Sequence, residues 1–197
     1  MAEIKRTLTG NLFFNKPTLI LVTPYDGDKK GDTAYALDSI VADSTSITQD
    51  DADRNEIECE TRDENLYESI VLGSYQFTCD NADWQEELAE NLLGFTKDET
   101  SGNIYAPSSY VEKFVEIEIQ FGDASSYQSE SNRGTFKASV VLPKVLLSSS
   151  ATLESLKTSL GTMTVAGTAY SIEVEDGTKK YVTPYYISKK PVAQSGD

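Results

Sequence analysis

Between Tyr110 and Phe121 the chain alternates strictly enough to admit one backbone conformation. Val111, Val115, Ile117, Ile119 and Phe121 oppose Glu112, Glu116, Glu118 and Gln120, and only Lys113 and Phe114 break the pattern. Apolar and polar residues that exchange at every step fit a pleated strand with one face buried and one wet, and no helix accommodates them. The same period recurs at Arg54 to Arg62, at Glu68 to Thr78 and at Ala169 to Glu175. Strands are also predicted over Thr18 to Thr23, Ala36 to Thr48, Thr135 to Leu142, with a bulge, an end or an edge at Pro143, and Lys180 to Ser188. Eleven tyrosines and seven phenylalanines suit such surfaces. A meander is expected at the C-terminal end, with Met163 to Val165 turning at Ala166-Gly167 and a second turn at Asp176-Gly177.

The period changes once with conviction. Trp84, Leu88 and Leu92 recur every four residues, acidic Asp83, Glu86 and Glu87 complement a helix N-terminus, and Gly94 closes the C-terminus. A helix is predicted over about 81–93, with Asp80 or Asn81 as its N-cap. A second short helix is predicted over about 151–160, carrying Leu153, Leu156 and Leu160 and ended by Gly161. The organisation is an N-terminal arm at 1–17, one β-rich domain at 18–188 and a polar C-terminal tail at 189–197. A chain of 197 residues buries enough surface for a core without staples.

Several chemistries are disfavoured by residue types. With no histidine, Ser-His and Cys-His pairs and the commonest metal ligand are absent. Carboxylates lie on polar strand faces or in turns, with no apolar setting to raise a pKa, and no phosphate-binding glycine loop or nucleophile elbow occurs. Asp26, Asp28 and Asp32 begin like a calcium loop, but Lys30 and Leu37 stand where the fifth and twelfth ligands belong. No enzyme, cofactor or metal is expected. Cys59 and Cys79 read as buried free thiols rather than a disulfide or redox pair. No segment reaches the roughly 20 apolar residues of a membrane span, and no signal-peptide pattern follows Met1.

The charge is decisive about nucleic acid. The chain holds 32 acidic against 17 basic groups, a net of minus 15, so it does not wrap a polyanion by displacing counterions. The excess is local: residues 26 to 99 carry 21 acidic and 5 basic groups, and the rest of the chain is close to neutral. Within that block Glu56, Glu58 and Glu60 share one strand face about 7 Å apart, beside the acidic turn Asp50-Asp51-Asp53. A solvated face is the simplest explanation of such a row.

An apolar strand, an acidic loop and hairpin, and the run Leu72-Gly-Ser-Tyr-Gln-Phe-Thr-Cys-Asp-Asn-Ala-Asp-Trp-Gln-Glu-Glu-Leu-Ala-Glu-Asn-Leu-Leu-Gly94, followed by more antiparallel strands, resemble the major tail tube proteins of long-tailed bacteriophages. The resemblance is architectural and covers about residues 36 to 188. It implies an antiparallel β-sandwich or barrel with one flanking helix, assembled into stacked hexameric rings through which DNA passes without specific binding. It implies residence in the virion tail after assembly in the host bacterial cytoplasm. The implied partners are other copies of the chain and further tail proteins such as the tape measure, terminator and baseplate or tip. On this view Glu56, Glu58, Glu60, Asp50, Asp51 and Asp53 are candidates to line the lumen, and Lys5, Arg6, Phe13 and Phe14 to contact the next ring. Two alternatives stand beside it: a collar, completion or injection-machine inner tube component on the same fold, and a monomeric β-sandwich binding module whose acidity is solubilising.

Overall fold

The computed structural model describes residues 12–13, 16–57, 67–109, 111–121, 125–126, 136–148 and 163–191. The elements begin with β1 (Leu12–Phe13), β2 (Pro17–Asp26), β3 (Lys29–Lys30), β4 (Tyr35–Leu37) and β5 (Ser46–Gln49). There follow β6 (Asp53–Ile57), β7 (Tyr67–Val71), β8 (Tyr75–Asn81), α1 (Glu86–Leu93), β9 (Thr96–Lys97) and β10 (Ile104–Tyr105). The C-terminal half adds β11 (Phe114–Phe121), β12 (Ser125–Ser126), β13 (Phe136–Ser148), β14 (Met163–Ala169), β15 (Ile172–Asp176), β16 (Lys179–Thr183) and β17 (Tyr186–Pro191). Among the described residues the fold is mainly β, antiparallel and sandwich-like with one helix; the strands are those the alternation predicts, and the sandwich with its helix is what the resemblance implies. The second predicted helix, at 151–160, lies outside the described residues.

Nine strands make the main sheet, ordered β3-β2-β11-β13-β14-β8-β5, with β4 also on β2 and β17 also on β13. β13 is the pivot. One of its edges pairs β11 along most of its length, while the other pairs β17 through its first half and β14 through its second, from Val145↔Ala169 to Ser148↔Ala166. Two ladders therefore fork from one strand. The opposite ends of the sheet are brought together by residues 35–49: β4 pairs β2, Ile40 bridges Asn81, and β5 pairs β8. Backbone bonds Val41 N→Asp80 O (2.9 Å) and Ala82 N→Ser39 O (2.7 Å) complete the stitch.

The core lies where the alternation puts it. Val115, Ile117 and Ile119 of β11 meet Ile20 and Val22 of β2 and Leu142 and Val145 of β13, all buried, and Leu88, Leu92 and Leu93 of α1 join the same cluster. Trp84 packs against that cluster and stands edge-on to Phe95, with ring centroids 5.2 Å apart.

Five local expectations are corrected. The helix starts at Glu86 after an extended Gln85 that makes no side-chain cap bond, because the proposed cap Asn81 belongs to β8. Its buried amide accepts from Ser39 N (3.2 Å) and donates to Asp83 O (2.7 Å). Gly94 does close the helix, in the left-handed conformation at φ 76° that glycine adopts without strain. The strand expected over Ala36 to Thr48 divides into β4 and β5, since its two ends serve opposite edges of the sheet. The strand expected over Glu68 to Thr78 breaks at Leu72–Ser74, between a separate hairpin and the main sheet.

Ala166-Gly167 makes no turn. A Cβ on Gly167 would stand 2.4 Å from Leu146 O, so the glycine allows close backbone approach inside an unbroken β14. The last strand divides at Pro184 into β16 and β17, and β17 takes in Lys189, Lys190 and Pro191, placed by the sequence reading in the tail. At Pro143 the expected bulge is present. Pairing slips between Val115↔Val145 and Ile117↔Leu142, and the strand continues past it to Ser148.

Candidate assembly surface

β6 and β7 form a two-stranded sheet of their own, paired from Asp53↔Val71 to Ile57↔Tyr67. A lone hairpin is marginal in water, so this one depends on its base. There Asp50 N donates to Ser74 O (2.9 Å), and the Asp50 carboxylate accepts from Ser74 Oγ and Gln76 Nε2, both at 2.9 Å. These two bonds, Gln76 first, hold the Asp50 carboxyl below its ordinary value. Their contribution is present above that ordinary value and is lost as pH falls through the lowered one. Gly73 is obligatory at this junction, because a Cβ there would lie 2.0 Å from Asp50 O.

The candidate lining residues are thereby located in part. Asp53 and Glu56 sit on β6, Asp50 and Asp51 are exposed at its approach, and Glu58 and Glu60 lie outside the described residues. Among the arm candidates, Phe13 falls in β1, paired with Ser125, while Lys5, Arg6 and Phe14 are outside the described residues, as is Cys59. Cys79 is a buried free thiol, and burial pushes its pKa up.

A feature that strand-by-strand reading misses is an exposed apolar face. Val182 is 74% exposed and lines two adjoining grooves. One is mixed in character, shared by Val174, Tyr181, Tyr186 and Ile187 with the carboxylates of Glu175 and Asp176, and the other is shared with Leu72, Tyr170 and Pro184. Leu72 is likewise 74% exposed. The signal available in the sequence was the run Tyr181-Val-Thr-Pro-Tyr-Tyr-Ile187, too apolar for a solvated strand and interrupted by a proline.

On the polar face of β11, Lys30 Nζ donates to Glu116 Oε1 at 2.5 Å, and Tyr25 Oη donates to the bulge carbonyl of Pro143 at 2.7 Å. Lys144 stands 4.7 Å from the Phe114 ring centre, a cation–π distance. Burial and then the Glu116 charge raise the pKa values of Tyr25 and Tyr186 above 10.0. The bond that Lys30 donates to Glu116 raises its own pKa above 10.5. All three groups hold protons more tightly folded than unfolded, so their stabilisation is complete below about pH 10 and is lost as pH rises through the raised values. Melting temperature should therefore fall from about pH 10 upward, and Glu116→Gln should flatten that fall. A variant whose alkaline limb matched the parent's would contradict the role of Glu116. At neutral pH the half-exposed ion pair itself is worth less than about 1 kcal/mol.

Among the described residues no group of three His, Cys, Asp or Glu side chains is placed to hold a metal ion, and no helix is long and apolar enough to cross a membrane. No protein-family model matches the chain, and no curated protein matches it in sequence.

Proposed function

We propose that the protein is a structural subunit that self-assembles into stacked rings, forming the tail tube of a long-tailed bacteriophage and a negatively lined conduit for DNA. The observation that carries the reading is the β6–β7 hairpin: an acidic two-stranded sheet that, among the described residues, is separate from the main sheet and joins it at a glycine-dependent base. A hairpin with two open edges gains stability when strands of other copies flank it. The exposed face around Val182 supplies apolar area for such contacts. Architectural resemblance to tail tube proteins, with one helix on a sandwich-like antiparallel fold, adds the specific assembly.

In this reading the protein performs no catalysis and requires no cofactor. A conduit must not hold the polymer it conveys, and carboxylates facing the lumen repel phosphates over a Debye length of about 8 Å at physiological salt. Glu56, Glu58 and Glu60, with Asp50, Asp51 and Asp53 of the adjacent turn, are the proposed lining. The working location is the virion tail, with assembly in the host cytoplasm, and the neighbours are tape measure, terminator and baseplate or tip proteins.

Negative-stain electron microscopy of the purified chain tests this directly. Long hollow tubes are expected, single rings would favour the collar or completion role, and isolated monomers would overturn assembly altogether. In assembled particles, replacing Glu58 and Glu60 by lysine should retain or stall DNA, read as incomplete genome release on triggered ejection. Normal release from those particles would sink the lining claim.

A further inference from the structure

The β5–β8 ladder of the main sheet and the β6–β7 hairpin share one register. Pairing runs from Ser46↔Thr78 to Gln49↔Tyr75, lapses over residues 50–52 and 72–74, and resumes from Asp53↔Val71 to Ile57↔Tyr67 without slipping by a residue. The two sheets are therefore one long ribbon, bent where its ladder lapses. The bend is sharp: in a flat ladder a Cβ points clear of the partner strand, whereas one on Gly73 would lie 2.0 Å from Asp50 O. Side chains span it. Thr168 Oγ1 donates to Gln76 Oε1 (2.9 Å), which turns the amide so that Gln76 Nε2 donates to Asp50 Oδ2 (2.9 Å), and Ser74 Oγ donates to the same oxygen. Thr168 stands opposite Gln76 in the β8–β14 ladder, so this chain of bonds begins inside the main sheet.

We propose that Gln76 is a positioning residue which, oriented by Thr168, clasps Asp50 and sets the angle at which the acidic hairpin leaves the main sheet. With the clasp open the ribbon swings at 50–52 and 72–74, a hinge in which both ladders keep their pairs because the register demands no change. The hairpin's direction is thus held by side chains, while the main sheet is held by its own core. The inference rests on the self-assembly reading only for its consequence: identical copies must present their hairpins at one angle for a ring to close.

Paired spin labels in the full chain, kept dilute enough to stay dispersed, test the clasp. The labels go on cysteines replacing Ser69 in β7 and exposed Thr100, in a Cys59→Ser background, with buried Cys79 left unlabelled. Asp50→Ala removes the acceptor, and Gln76→Glu sets carboxylate against carboxylate. In each, the clasped population should fall about tenfold against open forms, the effect of one charge-assisted bond, and the narrow interlabel distance distribution of the parent should broaden. In Asp50→Asn/Gln76→Glu donor and acceptor trade places: the asparagine amide donates to the glutamate, whose second oxygen still accepts from Thr168. That double variant should recover the narrow distribution. An unbroadened Asp50→Ala, or a folded double variant as broad as Gln76→Glu, would overturn the clasp. Electron microscopy reads the consequence separately, and both single variants should assemble poorly while the double assembles like the parent. Broadened single variants that assemble normally would overturn the hairpin's part in assembly and leave the clasp standing, as would a parent chain that never assembles.

Discussion

Truncating Phe77 to alanine is expected to cost the fold about 3–5 kcal/mol, the range for deleting a buried aromatic ring. Phe77 is 1% exposed in the centre of β8, with Gly167 of β14 on one side and Ile47 of β5 on the other. Domains of this kind are stable by only about 5–15 kcal/mol, so the loss is a large share of the whole. Urea unfolding should show a much lower midpoint at unchanged slope, and a shift worth less than about 1 kcal/mol would mean that the core is centred elsewhere.

The second large effect is Gly73→Ala, one methyl group added at the hairpin's base. Its Cβ would meet Asp50 O at 2.0 Å, Asp50 C at 2.5 Å and Asp51 O at 2.6 Å, and backbone atoms cannot swing aside as a side-chain end does. The approach strand must move, taking with it the three bonds that tie Asp50 to Ser74 and Gln76. Overpacking costs about 1–3 kcal/mol, and the bonds to Asp50 are lost with the shift. The diagnostic outcome is a folded chain that no longer assembles, since the hairpin is re-aimed while the core cluster is untouched. Leu72→Ala, one residue earlier and largely exposed, should leave the melting temperature within about 1 °C. Equal melting losses in both variants would remove the special role of Gly73.

The parts of the fold that could be read in the sequence are those governed by local pattern. β11 was plain because valine and isoleucine alternate with glutamate, and the helix was plain because Leu88 and Leu92 repeat with a glycine behind them. The errors have a common physical source. Asn81 looks like a cap, Ala166-Gly167 like a turn and Tyr181 to Ile187 like half of one strand, because nothing local reports a partner about 20 to 80 residues away. Asn81 is claimed by Ser39 and by the β14 ladder, and Gly167 by the need to pass Leu146 closely. For the site, the sequence offered the acidic row but not the base that carries the hairpin. Register decides which residues face each other, and register is a property of two strands.

The pairing order also dictates when the chain can become a protein during its synthesis. Val22 finds its partner at Ile117, and Cys79 finds its partner at Val165. At ribosomal speeds of about 5–20 residues per second, the first apolar strand waits many seconds for its neighbour, and the β8 edge waits until β14 has emerged. The stitch formed by residues 35–49 has nothing to fasten until both ends of the sheet exist. Nascent copies thus spend their early life with unpaired, aggregation-prone edges, at a high local concentration of identical chains on one message. The negative charge concentrated in the first half of the chain is present throughout that interval, and it keeps unfinished copies apart until each has closed on itself.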